Sequence, residues 1–206
     1  MKKSSIFLLI FCIIAFALLS AGCSDPDAIR TDVPRSSQDD YPILPEPTAN
    51  ITYMEMPFDT LNELSCLVVR GTVVEQLPDK QAVSRDGEDA DEDFPPIVSN
   101  VHRFSIEVTD TIRGEAADRI IIGRNEIYDG ATPDLNPGDE FIFFLTRYQD
   151  RGDYIVTSFQ EGYYYIAADN RVYPVKLQDS TRAYSGMGLS EFKKEIRSYQ
   201  YVEPDF

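Results

Sequence analysis

The sequence contains no tryptophan, one histidine and three cysteines, and it has few cations: 19 Lys and Arg against 35 Asp and Glu give a net charge of -16. This shortage argues against a nucleic-acid partner, because Lys and Arg neutralise the phosphates that dominate such binding. One histidine, without cysteine pairs at metal-ligand spacing, excludes most zinc sites and most histidine-dependent catalysis. With 43% hydrophobic residues, the 206-residue chain can still build one cored domain.

Long hydrophobic runs are also scarce, and the longest lies near the N-terminus. Lys2 and Lys3 precede fourteen consecutive apolar residues, Ile6–Leu19, and Ser-Ala-Gly then leads to Cys23. A basic start, a short apolar run and a small-residue exit predict an export signal over residues 1–22. The run is shorter than the ~18 residues expected of a membrane-spanning helix. A plain N-terminal anchor helix is the alternative interpretation.

The exit sequence resembles the lipobox of bacterial lipoproteins, in which a small residue precedes the cysteine that receives a diacylglycerol. Ala21 and Gly22 match the two positions before Cys23, whereas Ser20 replaces the usual leucine. The resemblance implies lipid attachment at Cys23, including palmitate, and a position on the extracellular face of the cell membrane. Two acyl chains suffice for durable anchoring. Processing removes two lysines and no acid, so the net charge changes from -16 to -18.

Only one thiol remains in the exported domain after this processing. Cys12 leaves with the signal and Cys23 carries lipid, so Cys66 has no disulfide partner. A domain exported without disulfides depends on its apolar core for stability. This cysteine usage favours a Gram-positive surface over a strongly oxidising compartment.

The mature chain divides into a Pro-rich segment and a domain with β-sequence patterns. Residues 23–57 contain six of the thirteen prolines and seven acids, which predicts an acidic tether between membrane and domain. Residues 58–178 carry the strand patterns. Residues 179–206 form a predicted C-terminal helical segment.

The domain is predicted to be mainly β, with a helix near each end. A capping box from Thr60 to Glu63 predicts a short helix, and Ser190 is expected to cap a second helix over 191–201. A polar excursion over 76–96 separates the first two strands. No helix fits between strands, so we expect a small closed or nearly closed β-barrel. The predicted strands are 66–74, 104–112, 119–123, 140–148, 154–159, 163–168 and 171–175.

The order of these features resembles that in the uncharacterised surface lipoproteins of Firmicutes that share an OB-like barrel. More distantly, it is similar to the netrin-like domain of tissue inhibitors of metalloproteinases. The resemblance covers about residues 60–175 and implies an OB-like (netrin-like) β-barrel with a short N-terminal helix and a C-terminal helix. It implies fold more than activity: the netrin-like cysteines are absent and acylated Cys23 could not chelate zinc, so metalloproteinase inhibition by that route is not carried over. The motifs that carry it are V-x-G-x-V (69–73), Arg113-Gly114, I-I-I-G (120–123) and a Pro-Gly-Asp turn before F-I-F-F-L (141–145).

An acidic run is the clearest candidate for a ligand site. Clustered carboxylate oxygens suit calcium. However, the spacing is not that of an EF-hand, and a solvated, self-repelling loop explains the run equally well. Calcium binding at 86–93 therefore stays open, and the run also suits a cationic partner. Its six carboxylates, within eight residues, are Asp86, Glu88, Asp89, Asp91, Glu92 and Asp93.

Three further motifs are better explained by structure than by chemistry. Pairing of the first two strands places Cys66 opposite residue 109, far from His102, so we expect a small core cysteine and a histidine near a barrel rim rather than a catalytic dyad. Arg151-Gly152-Asp153 matches the integrin tripeptide but falls in a predicted hairpin turn. The tyrosines of 163–165 alternate between two faces, which leaves exposure of one ring as an alternative. Barrel packing is favoured over glycan or peptide contact.

Together these patterns predict a membrane-anchored, non-catalytic interaction module with a protein or cell-wall partner. No catalytic, cofactor-binding or metal residues are assigned, and the protein is not expected to be an enzyme. The alternative is an exported carboxylate-dependent hydrolase acting on cell-wall glycans, which needs two acids about 5–10 Å apart. A transporter's two-lobed solute-binding lipoprotein is disfavoured, because it needs more chain than the ~150 residues after the tether.

Overall fold

The computed structural model describes residues 54–84, 97–147 and 152–203. The predicted export signal, the lipid-attachment residue Cys23, nearly all of the tether and the acidic run at 86–93 lie outside these ranges, as does Arg151. Within them, no helix has the length and apolar character needed to cross a bilayer.

The described residues form eight strands and three α-helices, so the domain is mainly β as predicted. A short 3-10 helix at 126–128 was not predicted, and a short α-helix at 179–182, within the predicted helical segment, lies between two strands. In chain order the elements are α1 (Phe58–Leu64), β1 (Leu67–Ser84), β2 (Ile97–Arg113), β3 (Arg119–Asn125), the 3-10 helix (Glu126–Tyr128), β4 (Glu140–Arg147), β5 (Tyr154–Val156), β6 (Tyr163–Ile166), β7 (Arg171–Pro174), α2 (Asp179–Arg182), β8 (Met187–Gly188) and α3 (Leu189–Ser198).

All eight strands belong to one sheet, and five of them close into a ring. β1 pairs with β2, β2 with β3, and β3 in parallel with β5. β5 pairs with β4, and β4 returns to β1, which closes the ring. Strands β6, β7 and β8 continue the sheet outward from β4. The ring therefore has an enclosed interior and an outer face that other elements must cover.

Two apolar clusters lie on opposite faces of β4. Phe141, Phe143 and Leu145 belong to the cluster inside the ring. Ile142 and Phe144 belong to an outer cluster that the helices cover. Because both faces of β4 are buried, its sequence is a continuous apolar run rather than an alternating one. The helices contribute Phe58, Leu61, Leu189, Phe192 and Ile196 to the outer cluster.

The first helix begins earlier than its sequence predicts. α1 starts at Phe58 with Pro57 at the N-cap, so Thr60 lies inside the helix and the predicted capping box is wrong. The Leu61 N–H donates to the Pro57 carbonyl at 2.9 Å, which forms the first helical turn. Burial of Phe58 and Leu61 in the outer cluster sets this start, because tertiary packing outweighs local capping preferences.

The last helix is also displaced toward the N-terminus. α3 starts at Leu189 and its N-cap is a glycine, so the prediction that Ser190 caps it is wrong. Leu189 is buried, which pulls the first turn onto the sheet. The predicted apolar face is correct: Phe192 and Ile196 are buried, and Tyr199 packs against the same cluster.

The predicted polar excursion over 76–96 is wrong in its extent. β1 continues to Ser84, and β2 already begins at Ile97. Pro78 lies where the β1–β2 register shifts between Leu77 and Lys80, so a bulge accommodates the proline. Residues 76–84 therefore form part of a strand, although their polar sequence is typical of a loop.

The far ends of β1 and β2 form a two-stranded arm, defined here as residues 81–84 and 97–100. Along these residues the two strands pair with each other, whereas β3 joins β2 from Val101 onward and β4 joins β1 up to Thr72. Val83 and Val98 face each other across the arm and are 53% and 54% exposed. The arm therefore extends past the five-stranded ring into solvent.

Gly71 has both features that its mid-strand position predicts. The β1–β2 register shifts between Arg70 and Gly71. A Cβ atom on Gly71 would lie 2.5 Å from Ile106 Cγ2 and 3.0 Å from the Glu107 carbonyl oxygen. Only glycine allows β1 and β2 to approach this closely at the bulge.

Candidate functional site

Cys66 and His102 are far apart, although not in the predicted register. Val68 pairs with Arg113, so Cys66 lies beyond the end of β2 rather than opposite residue 109. Ser84 pairs with Ile97 at the same offset as Val68 with Arg113, so the four register shifts between them cancel and the whole ladder is displaced from the predicted one. Cys66 is half-buried against the inner cluster, where it acts as a packing residue.

Asp153, the acid of the Arg-Gly-Asp sequence, is committed to an ion pair within the domain. Its side chain accepts two hydrogen bonds from Arg103, at 2.8 and 3.1 Å. Lys80 Nζ lies 3.9 Å from the same carboxylate. Asp153 is only 8% exposed, so its carboxylate is turned into the domain.

The tyrosine triplet packs in the core, as the favoured interpretation predicted, and none of its three rings is exposed. Tyr163 and Tyr165 are buried inside the ring, and Tyr164 is buried in the outer cluster. Phe192 of α3 covers Tyr164, with ring centroids 4.7 Å apart. Alternation along β6 was predicted correctly, but the helix that covers its second face was not.

A charged cluster surrounds the chain's single histidine at the root of the arm. His102 Nδ1 lies 3.1 Å from Asp79 Oδ1, an ion-pair distance without good hydrogen-bond alignment. On the other side of the ring, Nε2 donates to Asp129 Oδ2 at 3.1 Å. Arg124 Nη2 lies 3.2 Å from the second oxygen of Asp129. Residues of β1, β2, β3 and the turn after the 3-10 helix therefore meet here.

The cluster favours the protonated imidazole. Partial burial lowers the pKa of His102, but the hydrogen-bonding and electrostatic contributions of Asp79 and Asp129 outweigh it, so this pKa is raised above its usual value. Glu126 adds a third negative charge nearby, and hydrogen bonds from Asn100 lower the pKa of Glu126. Three carboxylates thus surround one imidazole and one guanidinium, that of Arg124.

Polar contacts also tie the arm itself to the start of the turn after β3. The Glu126 carboxylate accepts hydrogen bonds from the Asn100 backbone N–H and side-chain amide, both at 2.9 Å. The Asn125 amide donates to Ser99 Oγ at 2.7 Å. We refer to residues 125–129 as the clasp segment, because it contacts β2 at Ser99, Asn100 and His102.

A second ionisable group, Glu161, lies fully buried in the loop between β5 and β6. Its carboxylate accepts hydrogen bonds from the Ser158 hydroxyl and from the Met56 N–H, the latter at 3.4 Å. Burial raises the pKa of Glu161 to about 7, against the hydrogen bonds and the positive charge of Lys176, which lower it. This carboxyl therefore exchanges its proton near neutral pH.

Neither centre was predicted from the sequence. Asp79 lies in a stretch that reads as loop, and Asp129 follows a 3-10 helix that no periodicity indicated. The only available signal was the isolated histidine itself. In the part of the chain that the structure describes, no group of three His, Cys, Asp or Glu side chains is arranged to hold a metal ion.

No family model matches the sequence, and no curated protein matches it significantly. Function is therefore inferred from the chain's own residues. The two features with chemical character are the His102 cluster beneath an exposed arm and the buried carboxyl of Glu161.

Proposed function

We propose that the protein is a lipoprotein held on the extracellular face of the cell membrane, and that its folded domain is a non-catalytic interaction module. Support for the anchor comes from the basic start, the fourteen apolar residues and the Ser-Ala-Gly-Cys sequence ending at Cys23. The proline-rich residues that follow suit a spacer between membrane and domain.

The domain is proposed to be an OB-like barrel. An OB-fold is a five-stranded, partly open barrel. The closed ring of β1, β2, β3, β5 and β4 is compatible with that architecture. In OB-folds, the loop between the first two strands is one of the two that bind ligands. Here the corresponding connection is the arm, which is the one observation that best supports a binding role.

The partner is proposed to be a cationic protein or cell-wall component. The sequence 85–96 joins the two ends of the arm and contains the six carboxylates of the acidic run. A chain with a net charge of -16 repels polyanions and attracts cations, and such charge mainly raises association rates and selectivity. Nucleic acid, a frequent ligand of OB-folds, is not compatible with this charge.

Anchoring is tested by replacing the lipobox cysteine in the full-length gene. Cys23→Ala should remove acyl labelling and release or mislocalise the protein, and globomycin should block processing of the wild type. Cys12→Ala is the matched control, since it removes a thiol from the signal without altering the acylated position. If the Cys23 variant still fractionates with membranes as a processed species, the lipoprotein proposal is wrong.

The interaction role is tested by cross-linking on intact cells. Neutralising the six carboxylates of 86–93 should abolish capture of the partner, because its charge complement is removed. The matched control neutralises the six acids of residues 25–46, which lie in the tether. Equal capture by both variants, or no specific capture by the wild type, would contradict the proposal.

The hydrolase alternative has one observation in its favour. A buried carboxyl with a pKa near neutral, as at Glu161, is typical of a general acid. Glu161 is 0% exposed, so a substrate reaches it only if residues 157–162 move. If purified cell walls yield new reducing ends with wild type but not with Glu161→Gln, the hydrolase is favoured. No release by wild type would exclude it.

A further inference from the structure

At the root of the arm, a titratable side chain joins β1, β2 and the clasp segment. His102 projects from β2 between Asp79 of β1 and Asp129 of the clasp segment, with 3.1 Å to each carboxylate. Asp79 lies within the bulge between Leu77 and Lys80. At this bulge the regular β1–β2 register is interrupted, so side-chain contacts carry more of the connection.

Protonation of the imidazole reduces the excess of negative charge around His102 from two to one. Asp79 faces it from β1, Glu126 and Asp129 from the clasp segment, and Arg124 from β3. The ammonium of the nearby Lys80 is directed to Asp153 instead. Three carboxylates then face one guanidinium, and a protonated His102 supplies the second positive charge. A neutral imidazole has one N–H and no charge, so it can still donate to Asp129 but forms no ion pair with either carboxylate.

We propose that Asp79, His102 and Asp129 form a proton-operated clasp that fixes the arm to the clasp segment when His102 is charged and loosens the arm when His102 is neutral. Stability from this clasp is fully present below the ordinary histidine value of about 6.5 and is lost as pH rises through the raised folded value. The arm is thus a segment whose mobility responds to the pH of the surrounding solution. This inference concerns the described residues alone and does not depend on lipid attachment at Cys23.

NMR titration of the full chain tests the first half of the proposal directly, because His102 is the sole imidazole. Its ring carbon resonances should titrate above about 6.5 in wild type and closer to that value in Asp79→Asn and in Asp129→Asn. Asp134→Asn is the matched control, since Asp134 is exposed and lies outside the clasp. A wild-type titration at or below about 6.5, or one that both clasp variants leave unchanged, overturns the proposal.

Hydrogen exchange of the arm amides tests the second half. With intrinsic rates normalised, protection over 81–84 and 97–100 should fall roughly threefold to tenfold between about pH 5.5 and about pH 8.5 in wild type. Amides of β4 should show no such change. In His102→Gln, the protection of the arm amides should be low at both pH values. If this variant folds poorly, Asp79→Asn replaces it and should show a smaller change of protection with pH than wild type. Equal protection of the wild-type arm amides at both pH values would show that protonation of His102 does not control the mobility of the arm, and the proposal would be wrong.

Discussion

Replacing Glu161 by glutamine should remove a pH dependence that one buried carboxyl imposes on folding. Glu161 is fully buried, and two neutral groups donate hydrogen bonds to its carboxylate: the Ser158 hydroxyl and the Met56 N–H. Burial raises the pKa of this carboxyl to about 7, with a smaller opposing contribution from Lys176. Glutamine has nearly the same shape and keeps one acceptor oxygen, but it has no proton to lose.

The size of this pH dependence follows from the difference between the ordinary and the folded pKa of the carboxyl. Its ordinary pKa is 4.5 and its folded pKa is about 7, so the native state holds this proton over the interval between them. The free energy of unfolding therefore decreases as pH rises above the ordinary pKa, and it becomes constant above the folded pKa. At about 1.4 kcal/mol for each pH unit of that interval, the total loss is about 3 kcal/mol.

Urea unfolding of wild type and Glu161→Gln between about pH 4.5 and about pH 8.5 measures this loss. The difference in unfolding free energy, variant minus wild type, should increase with pH by about 3 kcal/mol and then stay constant. Taking this difference cancels the titration of every other group. Glu115→Gln, at an exposed position, should give a flat difference and serves as the control. A flat or decreasing difference for Glu161→Gln would show that burial does not destabilise the charged carboxyl.

Two further substitutions test the contacts that hold the helices and strands together. Arg113→Ala should lower the free energy of unfolding, measured with denaturant, by roughly 2–4 kcal/mol, because backbone carbonyls lose a charged donor. One of them is the carbonyl of Asn62, 2.6 Å from Arg113 Nη2. Arg113→Lys should recover part of this loss, and a loss below about 1 kcal/mol for the alanine variant would contradict the role. Gly71→Ala should cost roughly 1–3 kcal/mol, because its Cβ would overlap Ile106. Gly188→Ala, with nothing within 4 Å of its Cβ, should be close to neutral; equal costs for both would contradict the packing argument.

The strands of the ring could be predicted wherever one rule determined the residue pattern. Phe104 and Ile106 alternate with polar residues along β2, and both are in the inner cluster. β4 was recognisable as a short apolar run between turn signals. The turn at 136–139 also follows its sequence, with the Asp139 N–H donating to the Asn136 carbonyl at 3.0 Å.

The second half of β1 could not be predicted, because its strand character comes from its partner. Residues 75–84 are mostly polar and include Pro78, which locally favours a loop. Pairing with β2 from Ser105 to Ile97 supplies the hydrogen bonds that the segment lacks by itself. Capping signals failed for the same kind of reason: buried Phe58 and Leu189 set where α1 and α3 begin, whereas Thr60 and Ser190 do not.

The scarcity of cations noted in the sequence becomes meaningful at the two buried carboxylates. Asp153 directly precedes β5, and Glu161 lies two residues before β6, so each reads as an ordinary acid in a turn. Two nitrogens of the Arg103 guanidinium donate to the Asp153 carboxylate, so Asp153 is buried as an ion pair. Glu161 has a hydroxyl and an amide as partners, and Lys176 contributes least to its pKa.

With 19 cations for 35 acids, pairing is available to some acids and not to others. Where an arginine reaches the carboxylate, burial is compatible with charge; where none does, burial favours the proton instead. His102 shows the converse case, in which an excess of carboxylates raises the pKa of the only imidazole. Which outcome applies depends on the side chain that the register places across the sheet. For that reason the titratable centres of this domain follow from its fold, although the composition already shows that cations are too few to pair every acid.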